Sequence, residues 1–261
     1  MSTRYPIILV HGVALKDVFK FKAFGKIEKM LKKQGYSVYT SNADGFGAIE
    51  TNAEQLKKQI LDILQKTGAE KVNLIAHSKG GLDSRYMIKH LGMQEKVASL
   101  TCLCTPHKGS VIATKLYALP KPIKHFLAFW ITFWYRIFGD RHPAVLTVCK
   151  QLANTPDGTM AYFDDTPHEG IFVQSYSSTL EKSRDDFVMG IPLFFSRRYE
   201  DVESDGMVSV ESSRFGEYKG NATEGSVSHS EIVDFMAKKK KKEKIYAFYI
   251  GLCEDLAERG Y

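Results

Sequence analysis

Asn73-Leu74-Ile75-Ala76-His77-Ser78-Lys79-Gly80-Gly81 sets a serine between an apolar run and a helical pattern, with small residues two places before and two places after it. Val72 to Ala76 reads as a buried strand, and Gly80 to His90 as a helix carrying Leu82, Tyr86, Ile88 and Leu91. A strand-to-helix turn this tight holds its serine in a strained backbone conformation, and it closes only if the flanking residues let strand and helix approach. Ala76 and Gly80 meet that condition, although alanine departs from the literal Gly-x-Ser-x-Gly pattern. Small-x-Ser-x-Gly arises by chance, and it is the strand before and the helix after that make this one a nucleophile elbow.

Outward from the elbow, apolar runs alternate with helical patterns. Pro6 to Val10 reads as a strand, Val18 to Lys33 as a helix, and Tyr36 to Thr40 as a second strand after the breaker Gly35. In Ala53 to Gln65, Leu56, Ile60, Ile63 and Leu64 recur at helical spacing, and Gly68 stands where a helix would stop. Val97 to Cys104 and Ile171 to Tyr176 supply a fourth and a fifth strand, and Lys244 to Ala257 a C-terminal amphipathic helix. The alternation predicts an α/β class with a doubly wound, mostly parallel sheet in one domain over 1–261. Residues 110–165 break it with a proline-interrupted, aromatic-rich insertion, expected to be a helical cap or lid.

The chain has 261 residues, 44% hydrophobic and 25% charged, which excludes disordered and fibrous classes. A chain of this size needs neither disulfides nor structural metal to hold a core. Cys102, Cys104, Cys149 and Cys253 form no zinc-ligand pattern and are expected as free, buried thiols. Met1 to Pro6 lacks the long apolar core of a signal peptide, so a cytoplasmic location is the expectation. The net charge is +6, with a lysine run from Lys238 to Lys242. Without a nucleic-acid motif, the run is expected to be a solvated link into the last helix, and no nucleic-acid partner is implied.

A serine is a poor nucleophile unless a base takes its proton and donors stabilise the oxyanion. The backbone N–H of Lys79 is one candidate donor. The second is Val13 N–H, in the His11-Gly12-Val13 turn that follows the first strand. Of eight histidines, His229 alone stands late in the chain and away from the turns, the elbow helix and the insertion, in the order Ser, acid, His that this kind of site follows. The acid lies between them, in Asp201-Val202-Glu203-Ser204-Asp205-Gly206. Asp205 has a turn glycine after it, and Asp201 and Glu203 are rivals.

Tyr5 to Gly12, the Ala76 to Gly81 elbow, Thr105-Pro106-His107-Lys108-Gly109-Ser110, and Asp205-Gly206-Met207-Val208 with Ser212-Ser213 together resemble the bacterial true lipases of Pseudomonas, Burkholderia and Proteus type. The resemblance covers the sheet segments at both ends and is weak through the insertion. It implies an α/β-hydrolase fold and selects Asp205 as the acid and His229 as the base, with Ser78 as nucleophile. Glu211 stands where secreted relatives have a cysteine, so their disulfide is not expected. The family also implies a structural calcium ion, with Glu231, two residues after the histidine, as one ligand. Asp185 or Asp186 would be a second, of which Asp186 is the candidate.

From Ser110 to Gly139 there is no acidic residue, while Lys115, Lys121, Lys124 and Arg136 are basic and both tryptophans fall in Phe126 to Tyr135. A helix here is apolar on nearly every side and too short to span a bilayer, so it is either cap core or a lid meeting lipid transiently through 123–138. The leading expectation is a serine carboxylic-ester hydrolase, a lipase cleaving medium- or long-chain acyl esters through an acyl-enzyme, with no organic cofactor. A short-chain esterase or thioesterase using the same three residues is the alternative. An acyltransferase would keep the chemistry but exclude water. From another class, a non-catalytic membrane- or partner-binding relative would use the insertion alone.

Overall fold

The computed structural model of the protein describes residues 2–13, 17, 22–164, 166–186, 189–194 and 202–261. Six parallel strands form one sheet: β1 (Ile7–Val10), β2 (Val38–Thr40), β3 (Val72–His77), β4 (Val97–Leu103), β5 (Phe172–Ser177) and β6 (Glu217–Asn221). Their order across the sheet is β2-β1-β3-β4-β5-β6. Helices among the described residues include α1 (Ile27–Lys33), α2 (Ile49–Thr67), α3 (Lys79–His90), α4 (Val111–Tyr117), α5 (Lys121–Ile137), α6 (Val145–Gln151) and, at the C-terminal end, α7 (Lys239–Glu258).

The pleat of β1 shows why both faces must be covered. Ile7 and Leu9 point into a core shared with Leu31 of α1 and Ile245, Tyr249 and Leu252 of α7. Ile8 and Val10 point the other way, against Leu56 and Ile60 of α2 and Met87 and Ile88 of α3. Successive side chains of a strand face opposite sides, so a run apolar at every position needs helices on both. Gly68 ends α2 in the left-handed conformation at φ 69°, its N–H donating to the Leu64 carbonyl, as a C-terminal glycine does.

Four expectations shift. The first described helix begins at Ile27, because residues 23–26 form a turn; of the expected helix, residues 18–21 lie outside the described residues. A sixth strand joins the five expected: residues 216–225, punctuated by glycines, contain the edge strand β6, whose exposed and half-exposed residues carry no apolar signature. The lysine run is not a link: Lys238 precedes α7 and Lys239 to Lys242 are its first turn. Cys102, Cys104 and Cys253 are free and buried, but Cys149 is only half-buried.

Between β4 and β5, α5 keeps little of itself in the core, with Ala128 its one buried residue. Its C-terminal end is held by a reciprocal clamp. Asp140 accepts the N–H groups of Gly45 and Phe46 at 2.9 and 2.8 Å, while Asp44 accepts those of Arg141 and His142 at 2.9 and 2.8 Å. Tyr135 adds an edge-to-face contact with Phe46.

Candidate active site

The elbow forms as the small residues require. Ser78 sits between β3 and α3 at φ 55°, ψ −132°, a conformation costing a non-glycine residue about 1–3 kcal/mol. Its N–H donates to the Leu103 carbonyl, and its own carbonyl accepts the Gly81 N–H. A Cβ on Gly80 would lie 2.6 and 2.7 Å from the carbonyl oxygens of His11 and Val10, so only glycine lets α3 pass the end of β1. Glycine to alanine inside a helix ordinarily stabilises by about 1 kcal/mol. At Gly80 the backbone clash reverses the sign, and Gly80→Ala is expected to lose about 1–3 kcal/mol in urea unfolding; a variant as stable as wild type would refute the close approach.

Three predicted residues meet at the carboxyl ends of the strands, where open α/β sheets place their sites. The His229 Nε2 lies 2.9 Å from Ser78 Oγ, and its Nδ1 lies 2.6 Å from Asp205 Oδ2. Asp205 is 1% exposed, and its Oδ1 accepts the N–H groups of Met207 and Val208, which fixes the carboxylate plane toward the imidazole. The Asp205 carbonyl also accepts the His229 N–H at 3.0 Å. The carboxylate therefore sets both the ring tautomer and the ring position, leaving Nε2 free of a proton and facing the serine. Of the rival acids, Glu203 is exposed and Asp201 lies outside the described residues.

Of the two expected oxyanion donors, Lys79 directly follows the serine, and Val13 directly follows Gly12, which packs against it. Lys79 opens α3, so its N–H is among the leading amides with no acceptor inside the helix. Its side chain reaches forward along α3 to a buried pair with Asp83, Nζ to Oδ1 2.6 Å, and burial pushes the Asp83 carboxyl up to about 6 against the pull of that lysine. On the other side the turn after β1 presses on Ser78: a Cβ at Gly12 would lie 2.6 Å from Ser78 Cβ. Val13 follows at once and is the last described residue before 14–16.

Two neighbours were not singled out from sequence. His77, fully buried, donates from Nε2 to the His229 carbonyl at 2.9 Å and packs its ring at 4.6 Å from the His229 ring. Burial, then the nearness of the His229 imidazole, holds its pKa well below the ordinary histidine value, so it is a neutral strut between elbow and base loop. Cys104, at φ 51° just past β4, places its thiol within 4.8 Å of ligand atoms of Asp205 and His229. Burial raises its pKa well above the usual thiol value, as does its hydrogen bond to Asp205. A polar residue at the elbow's variable position and a cysteine ending an apolar strand are signals of such roles, but weak ones.

The residues expected to hold calcium do not fit the ion. Glu231 Oε2 is 2.5 Å from Lys241 Nζ and accepts the Ser228 N–H at 3.1 Å. Asp186 accepts the hydroxyls of Ser228 and Ser230 and the Met189 N–H. Calcium requires six to eight oxygen ligands, and an ammonium on Oε2 repels a cation approaching it. Among the described residues, the cluster of three acidic, histidine or cysteine ligands is Cys104, Asp205 and His229, not a Glu231 group.

This fold with this site defines a serine ester hydrolase of the α/β-hydrolase type. The chain belongs to the family described as palmitoyl protein thioesterase, whose model matches residues 6–168. It is also 28% identical to a Pseudomonas fragi protein named triacylglycerol lipase, over 100% of this chain and 98% of that one. Triacylglycerol lipase 2 of Saccharomyces cerevisiae is 28% identical over 90% of this chain and 73% of its own. The crystal structure of Staphylococcus hyicus lipase superposes with a TM-score of 0.70 at 13% identity, covering 98% of this chain and 96% of that one, which shows the shared fold. The resemblance to bacterial lipases is thereby borne out.

Proposed function

We propose that the protein is a lipase hydrolysing medium- or long-chain carboxylic esters, with Ser78 as nucleophile, His229 as base and Asp205 orienting it. The observation that carries this is the continuous hydrogen-bonded run from Asp205 through His229 to Ser78 at a strained elbow. His229 takes the hydroxyl proton as Ser78 Oγ attacks the acyl carbon. The oxyanion forms between the N–H groups of Lys79 and Val13, and the imidazolium returns the proton to the leaving alcohol. Water, deprotonated by His229, then releases the acid from Ser78. No organic cofactor enters, in keeping with the relatives. The non-catalytic alternative would leave a strained serine, a buried acid and an aligned imidazole without purpose.

The lipid substrate is supported by α5, the expected cap helix. Phe126, Phe129 and Trp134 are 64, 62 and 50% exposed, and Trp130 and Phe133 lie beside them. An apolar face of this size, flanked by Lys115, Lys121, Lys124 and Arg136 with no acid from Ser110 to Gly139, suits an anionic lipid surface. It is not cap core. A thioesterase reading keeps the same machinery and has only weak support from the family match. Hydrolysis of p-nitrophenyl esters of rising chain length, beside the matching acyl thioesters, tests the choice: turnover is expected to rise toward long oxygen esters. The emission of Trp130 and Trp134 is expected to shift blue with anionic vesicles and to recover in high salt. A preference for short chains or for thioesters, with unchanged emission, would remove the lipase reading.

A further inference from the structure

The loop bearing His229 is held by charges supplied from the start of α7. Its backbone is locked by a reciprocal pair: Ser228 Oγ accepts the Glu231 N–H at 3.2 Å while the Glu231 carboxylate accepts the Ser228 N–H at 3.1 Å. This is the pairing of a capping box, with His229 as the residue after the serine. Glu231 is 3% and Asp234 4% exposed, so both carboxylates are removed from water and need a counter-charge. Lys241 Nζ stands 2.5 Å from Glu231 Oε2, and Lys242 Nζ 2.9 Å from Asp234 Oδ1. Asp234 in turn turns the chain at φ 60° and accepts the Lys26 N–H and the Tyr246 hydroxyl.

The placement of these lysines breaks a local rule. Lys239 to Lys242 form the first turn of α7, which holds no acidic residue, yet the amino end of a helix carries partial positive charge and disfavours cations. Sequences break such rules where another interaction compensates. Here the compensation is the pair of buried carboxylates in the base loop.

The geometry points to Lys241 as a built-in cation: its ammonium takes the role that the lipase resemblance gives to a calcium ion, neutralising Glu231 so that the 228–231 lock holds His229 against Ser78 without metal. Lys241 touches neither Ser78 nor His229, so it is a positioning residue. One charge on a tethered side chain satisfies one carboxylate, and Asp186 is satisfied by Ser228 and Ser230 hydroxyls rather than by the cation. The base loop is thereby tied to the C-terminal helix, whose Ile245, Tyr249 and Leu252 lie in the core of the sheet. The inference rests on His229 as the base of the proposed hydrolysis.

Melting of the wild-type protein after EDTA treatment and in millimolar CaCl2 is the first test, and equal melting temperatures are expected. Lys241→Met is expected to lower kcat up to about a hundredfold with KM changed less than about twofold, since a shifted imidazole impairs chemistry more than binding. Lys241→Arg, which keeps the charge, is expected to recover most of that loss. Lys240→Met removes an exposed cation from the same helix end and is expected to match wild type. A calcium-dependent rise in wild-type melting temperature, or a Lys241→Met protein indistinguishable from Lys240→Met in kcat and melting, would overturn the inference. If Ser78 instead proved unreactive toward a fluorophosphonate, the hydrolase reading would fail, and the melting comparisons would still decide whether Lys241 stands in for the metal.

Discussion

Ser78→Ala is expected to abolish ester hydrolysis, lowering turnover by about a millionfold, while the protein stays folded. The Ser78 hydroxyl makes one hydrogen bond in the site, to His229 Nε2, and the rest of the residue is backbone held by Leu103 and Gly81. Alanine keeps the Cβ and the same backbone preferences, so the loss in stability is that of one hydrogen bond, about 1 kcal/mol. Turnover of a p-nitrophenyl ester by matched samples, with circular dichroism and labelling by a fluorophosphonate, measures both sides. Label remaining on the alanine variant, or turnover within tenfold of wild type, would move the nucleophile elsewhere.

Asp205→Asn is expected to lower kcat about ten-thousandfold, with little change in KM. The amide fills the same space, and its oxygen can still accept from Met207 and Val208. Its NH2 then faces His229 Nδ1, two donors would oppose each other, and the ring answers by moving its proton to Nε2. In that tautomer Nε2 points an N–H at Ser78 and takes no proton from it. Asp201→Asn serves as the control and is expected to retain wild-type turnover. A larger effect at Asp201 would reassign the acid.

The sheet centre and the three site residues were legible because local rules converge there. Val72 and Leu74-Ile75-Ala76 make a short apolar run that leads into a serine between small neighbours, so strand, turn and nucleophile are read from one stretch. His229 and Asp205 followed from chain order and a turn glycine, with the lipase resemblance deciding against Asp201. What escaped reading depends on partners far along the chain. β6 is an edge strand facing water, so Glu217-Tyr218-Lys219-Gly220-Asn221 has no apolar alternation to reveal it. The lysine run looked like solvated charge because nothing local shows that Glu231 and Asp234 are buried within reach. The exposure of α5 is not decided by its sequence, since an all-round apolar helix reads the same in a cap core as on a lipid-facing surface.

The Asp44 and Asp140 clamp carries a practical consequence. Both carboxylates grip main-chain N–H groups, so the socket that seats α5 reads the path of the chain and not the side chains that follow it. Most of the helix's aromatic surface contributes nothing to that seating. The segment between Lys121 and Trp134 is therefore expected to be exchangeable for other helices of the same length, with Tyr135 and the docking points at Asp44, Gly45, Phe46, Asp140, Arg141 and His142 left intact. Evolution and the protein engineer meet the same opening here: a removable tool held in a fixed chuck, so that the face presented by this helix can change while the chemistry beneath it stays the same.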